Sequence, residues 1–111
     1  MEVIQKAIEY YVTSDGRSPF HDWYTSLKDV KTLAVINNRL TRVERGLLGD
    51  HKALGSGVYE LKIDVGPGYR IYFGQEGQKL IWLLHGGYKK TQQRDIEMAK
   101  KYWDDYLRRR Q

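Results

Sequence analysis

Cysteine is absent from this chain, which removes disulfides, thiolate zinc sites and cysteine nucleophiles together. Long apolar runs are missing too. The longest, residues 80–84, falls far short of the roughly 20 residues that a membrane helix needs. The first residues, MEVIQKAIEYY, mix polar and apolar side chains and lack the basic leader and apolar core of a signal peptide. A cytoplasmic protein with no membrane association is therefore expected. The histidines His21, His51 and His85 are scattered, without ligand spacing or paired carboxylates, so no metal set is expected. A nucleophile elbow and a dinucleotide fingerprint are also lacking. The run Gly86-Gly87-Tyr88-Lys89-Lys90 lacks the spacing and ending of a P-loop.

What remains is basic and aromatic. The 111 residues carry a net charge of +5, which favours a polyanionic partner such as nucleic acid. A composition of 41% hydrophobic and 30% charged residues suits one globular domain with a single modest core, spanning residues 1–111.

Residues 3–12 are rich in β-branched and aromatic side chains and stop at Thr13-Ser14-Asp15-Gly16, so they read as a strand. Ser18-Pro19 starts a short helix, with Phe20, Trp23 and Leu27 on one side. Ser26 with Asp29 resembles a second cap. Beyond it Leu33, Ile36, Leu40, Val43 and Leu47 recur at helical spacing, and Gly46 and Gly49 mark the end. The outer side of that helix carries Lys31, Arg39, Arg42 and Arg45, either as a solvated face or as an RNA contact.

After a loop containing Gly55 and Gly57, three strands are predicted. In the first, Tyr59, Leu61 and Ile63 alternate with Val58, Glu60, Lys62 and Asp64; in the second, Tyr69, Ile71 and Phe73 alternate with Arg70 and Tyr72. The tight Val65-Gly66-Pro67-Gly68 link makes them an antiparallel hairpin. Residues 79–84 form an almost continuous apolar strand, expected at the centre of a sheet. Thr91 caps a last helix with the stripe Ile96, Ala99, Trp103 and Tyr106, closed by Arg108, Arg109 and Arg110. The predicted class is α+β in the order β-α-α-β-β-β-α, with a two-helix hairpin, a small antiparallel-dominated sheet and a C-terminal helix.

Cutting RNA without a metal requires the 2′-hydroxyl to lose a proton, the phosphorus centre to be stabilised, and the departing 5′-oxygen to gain a proton. Period-2 alternation puts Lys62 and Arg70 on the polar sides of neighbouring strands, where both can reach one phosphate. Arg70 suits the phosphate itself because its planar fork makes two charge-assisted bonds. Lys62 could carry a proton. The alternative for either cation is a surface salt bridge with Glu60 or Asp64. Lys89 and Lys90, at a glycine-rich strand-to-helix junction, suit an anion. Tyr72 and Tyr88 could donate a proton, stack on a base or simply pack, and His85 is either an acid-base group or a packed side chain.

The segments ELKID, GPGYRIYF, LIWLLHGGYKKTQQRDIEMAKKYW and SPFHDWYTSL resemble the RelE/ParE toxin superfamily, nearest its HigB-like addiction module killer branch. The resemblance implies the toxin of a type II toxin–antitoxin pair, an endoribonuclease that cuts mRNA in the ribosomal A site without a metal or a small-molecule cofactor. Its antitoxin would be a small protein, commonly of helix-turn-helix type. By the same resemblance, Arg70 matches a phosphate-binding arginine, Lys62 a catalytic strand lysine and Lys90 the basic residue after the last strand. Tyr72 joins them as a catalytic candidate, with Lys89, Tyr88 and His85 as RNA-binding candidates. Glu60 stands where RelE proper has another lysine, and Ile96 where it has a tyrosine, so Tyr72, Tyr88 or His85 would take over proton transfer. Two other readings belong beside this one: a ParE-like DNA gyrase inhibitor without nuclease activity, and an inactivated relative that binds only its antitoxin or RNA.

Overall fold

Serine, aspartate and glycine break the chain into elements in the computed structural model, which describes residues 3–111. Strand β1 (Ala7–Tyr10) leads into helix α1 (Pro19–Ser26), whose Ser18 side chain accepts a hydrogen bond from the His21 amide. Helix α2 (Val30–Glu44) is capped by Asp29, which accepts from the Thr32 amide and hydroxyl. Four strands follow: β2 (His51–Gly55), β3 (Val58–Ile63), β4 (Tyr69–Glu76) and β5 (Leu80–Tyr88). A 3₁₀ turn (Lys89–Thr91) enters α3 (Gln92–Arg109).

The five strands form one mixed sheet in the order β1-β5-β4-β3-β2, parallel only between β1 and β5. The class is α+β, with three helices. One face packs Leu61, Ile63, Ile71, Phe73, Ile81 and Leu83 against α1 and α2 through Phe20, Leu27, Ile36 and Val43. The opposite face packs Val58, Tyr72 and Leu84 under α3 through Ala99 and Trp103.

Several sequence expectations need correction. The stretch containing Gly55 is not wholly a loop: residues 51–55 form a strand paired with β3, joined through Ser56 and Gly57, both at positive φ. The alternation over 3–12 overstates β1, because its ladder with β5 covers Ala7–Tyr10 alone. Residues 80–84 do lie in an interior strand, but β4 occupies the middle of the sheet. Leu47 lies beyond α2 and is exposed. The helix ends when Gly46 turns to φ +83° and the amides of Gly46 and Leu47 bond back to the carbonyls of Val43 and Arg42, a Schellman closure.

Arg39 also departs from expectation. It does not sit on a solvated outer side but donates to the carbonyls of Lys62 (2.6 Å), Leu48 (3.0 Å) and Asp50 (3.0 Å), tying α2 to the start of β2 and to β3. Thr91 precedes α3 but makes no capping bond to its backbone; its hydroxyl goes to Asp95.

Glycine makes the α3 contact close. A Cβ at Gly74 would lie 2.3 Å from Trp103 Cε3. Alanine relieves the entropic cost of glycine in a strand, so an open site would gain from Gly74→Ala. Here the substitution is expected to lower stability by about 1–3 kcal/mol, read as a lower urea midpoint at unchanged slope. A neutral or raised midpoint would show that α3 is not held this closely.

Candidate functional site

Register places the chemistry on the α3 face of the sheet. Lys62 pairs with Arg70, and Arg70 pairs with Gly87, so two long cations and a bare backbone form one row across β3, β4 and β5. The Lys62–Arg70 neighbourhood read from alternation is present. The 3₁₀ turn bends over the end of this row. The Lys89 amide donates to the Gly68 carbonyl at 3.0 Å, and a Cβ on Gly68 would sit 3.1 Å from Lys89 Cβ and 3.8 Å from Arg70 Nη1. Gly68 thus lies between the Lys89 and Arg70 side chains, and Lys89 and Lys90 are both exposed on the turn.

Arg70 is only 4% exposed. Its Nη1 donates to the Tyr69 carbonyl at 2.9 Å and to the mostly exposed Asp64 carboxylate at 3.4 Å. Its Nε is enclosed without a partner. Arg39 also leaves Nε unpartnered but commits its terminal nitrogens to three carbonyls. An enclosed guanidinium with a donor unspent is costly, and the long contact to exposed Asp64 offsets little of that cost.

The next row is Glu60, Tyr72 and His85, and here the polar side of the strands is not open to solvent. Glu60 is fully buried under α3, with one carboxylate oxygen accepting from Gln92 Nε2 at 2.8 Å and the other enclosed without a partner. Glu60 is therefore not the salt-bridge partner of Lys62 or Arg70; among the two carboxylates considered, Asp64 takes that place for Arg70. The Tyr72 ring is fully buried and its hydroxyl enclosed. Burial, followed by the nearby charges of Glu60 and Asp95, pushes its pKa up. Tyr72 thus lies inside the layer beneath α3 and does not face solvent.

His85 stacks against Tyr72, with ring centroids 6.3 Å apart, and its Nε2 lies 3.1 Å from Asp95 Oδ1. Asp95, buried to 2% exposure, also accepts from the Thr91 hydroxyl at 2.6 Å. Because the carboxylate accepts a hydrogen bond from Nε2–H, the neutral imidazole carries its hydrogen there and leaves the enclosed Nδ1 as a bare acceptor. Burial lowers the His85 pKa below its ordinary 6.5, outweighing the opposing pull of Asp95. Neither ring nitrogen is open to a substrate.

Asp95 belongs to the sequence pattern that carries the resemblance, but sequence reasoning gives it no role. Its signal was present as Thr91 and Asp95 four apart at a helix start, where a hydroxyl and a carboxylate meet on one face.

A cleft of about 720 Å³ opens on the far side of this layer, between the segment joining β1 to α1 and the first turns of α3. His85 and Tyr88 line it; Lys62, Arg70, Lys89 and Lys90 do not. The ring of Tyr88 lies 5.6 Å from that of Tyr69, on the α1 side of the sheet. The predicted residues therefore divide into a cationic end (Lys62, Arg70, Lys89, with Lys90 on its turn), a buried layer (Tyr72, His85) and a cleft wall (His85, Tyr88). Among the described residues no group of three or more His, Asp or Glu is placed to hold a metal ion, and no helix is long and apolar enough to cross a membrane.

No family model matches the chain. It is similar to an uncharacterized protein of Haemophilus influenzae, 43% identical over 81 residues that cover 73% of this chain and 82% of that protein. The chain belongs to the family of that protein.

The His85–Asp95 pair yields a pH prediction. Below about 6.5 the unfolded chain binds a proton on this histidine more readily than the folded one, so its contribution erodes stability as pH falls from about 7 towards 5. Replacing it with His85→Gln is expected to flatten that slope. In proton NMR His85 is expected to titrate below 6.5 and to move lower still in Asp95→Asn, which removes the anion that favours the imidazolium; a rise in the variant would contradict the pairing.

Proposed function

We propose that this protein is an endoribonuclease, the ribosome-dependent toxin of a type II toxin–antitoxin pair, with a RelE-like fold of the HigB-like branch. The observation that carries the reading is Arg70: next in register to Lys62 and near the turn that bears Lys89 and Lys90, its Nη1 is held by the Tyr69 carbonyl and by a long contact to the exposed Asp64 carboxylate, which an anion can replace. A phosphodiester fits this setting. Its oxygens can take the place of Asp64 at Nη1, and its charge is matched by lysines that stand closer to solvent.

In that complex Arg70 and Lys62 stabilise the added negative charge as the 2′-oxygen attacks phosphorus. Lys89 and Lys90 hold the flanking backbone, where contacts set register but carry no base information. Tyr72 and His85, being enclosed, serve by packing behind the cations, so proton transfer falls to Lys62 and to groups that the ribosome brings. Holding the 2′-oxygen in line with phosphorus supplies much of the remaining acceleration. The toxin works in the cytoplasm on mRNA bound to the ribosome, and a small helix-turn-helix antitoxin keeps it silent.

Lys62 is only partly buried, so Lys62→Ala should keep the fold while lowering cleavage by about 10²-fold or more. Primer extension on cellular mRNA after induction reads the effect: new 5′ ends within codons for the parent, few for Lys62→Ala and Arg70→Ala. Growth arrest without new 5′ ends would end the nuclease reading, and a DNA-damage response in its place would favour gyrase as the target.

A further inference from the structure

The 720 Å³ cleft differs in character from the cationic end. Its lining has three carboxylates, Asp15, Asp22 and Asp95, against two guanidiniums, Arg17 and Arg94. With His85 held neutral, the charges nearly cancel, so nothing there draws a phosphate. The walls are aromatic and fixed. Trp23 lies so flat on Gly86 that a Cβ there would come within 2.1 Å of its ring. Tyr102 is stacked on Tyr11 at 5.3 Å and edge-on to His85 at 5.8 Å.

The outer wall is also preformed. Thr13 and Arg17 close a turn through their backbones at 2.8 Å, and Arg17 pairs with Asp22 at 3.0 Å. An uncharged planar ligand with hydrogen-bonding edges suits such a space: aromatic walls for its faces, carboxylates and guanidiniums for its rim.

The cleft also adjoins the cationic end through the backbone. Gly87 lines it and is the register partner of Arg70, while Tyr88 and Thr91, both lining residues, bracket Lys89 and Lys90. We propose that the cleft is a base-binding subsite that receives one unpaired nucleobase of the RNA whose phosphate rests on Arg70. This rests on the phosphodiester reading of the cationic end, and the experiment separates the two.

The full chain is titrated in NMR with a dinucleotide methylated on its 2′-oxygens, which cannot supply the attacking hydroxyl, and separately with inorganic phosphate. The dinucleotide is expected to shift the Trp23 indole N–H and the Gly86 amide and to bind about tenfold more tightly than phosphate. Phosphate is expected to shift only the neighbourhood of Arg70 and Lys89. Met98→Trp, which fills the cleft from the partly exposed side of α3, is expected to remove the tenfold gain while leaving phosphate binding unchanged. Dinucleotide binding no tighter than phosphate, or shifts confined to Arg70 and Lys89, overturns the subsite even if phosphate binds as proposed. Shifts at Trp23 and Gly86 with no phosphate response at Arg70 support the base site and defeat the anion reading of the cationic end.

Discussion

The seat of α3 on β5 governs the rest of this molecule. A Cβ at Gly87 would stand 2.0 Å from Asp95 Oδ2. Only a glycine there lets the carboxylate settle against the strand, where it meets the Thr91 hydroxyl and the His85 ring. Burying a carboxylate is tolerable when its lone pairs are used, and Asp95 uses both oxygens. One turn earlier on α3, Gln92 reaches Glu60 on β3, so the first turn of the helix is fastened to both flanks of β4. The helix then runs across the sheet to Trp103, which lies on Gly74. Its starting point decides which row of strand residues it covers and which it leaves beyond its end.

That boundary separates two layers of opposite charge. Glu60 and Asp95 lie under the helix, and Lys62 and Arg70 occupy the adjoining row. Neighbouring cations repel one another, and a carboxylate layer behind them offsets the repulsion. Tyr72 and His85 fill the space between as stacked rings. The layer has a cost, because Glu60 Oε1, the Tyr72 hydroxyl and His85 Nδ1 are enclosed without partners, and such groups destabilise by about 1–3 kcal/mol each. That cost falls in the layer that adjoins the cationic row.

The Lys62–Arg70 pairing was legible because alternation over 58–64 and 69–73 with one tight link leaves a single register for a hairpin. The Ser18 cap and the stripe Ile96, Ala99, Trp103 were legible for the same reason, each depending on near neighbours in sequence. What the sequence hid depends on partners far along the chain. Alternation marks Glu60 as polar side but cannot say that a helix more than 30 residues later will cover it. β2 was missed because HKALG has no β-branched residue, although Ser56-Gly57 before an alternating run is a hairpin signal. Helical spacing puts Arg39 on an outer side that is either solvated or an RNA contact, and its true role is hidden because its three carbonyl acceptors come from a loop and a strand beyond the helix.

Arg39 and Arg70 show how burial alone misleads. Both are removed from solvent to a degree unusual for arginine, and both hold positive charge near the same stretch of β3. Arg39 points its terminal nitrogens at three backbone carbonyls, a set that cannot leave, so its work is to join α2 to the sheet. Arg70 has one carbonyl from its own neighbour and a long contact to an exposed aspartate, which water can replace at little cost. An anion competing for Arg39 would have to break the fold, whereas one approaching Arg70 displaces only Asp64 and gains a fork already oriented by the strand. The difference lies in the acceptors: the first arginine is built into the architecture, and the second is the one that the proposed phosphate contact requires.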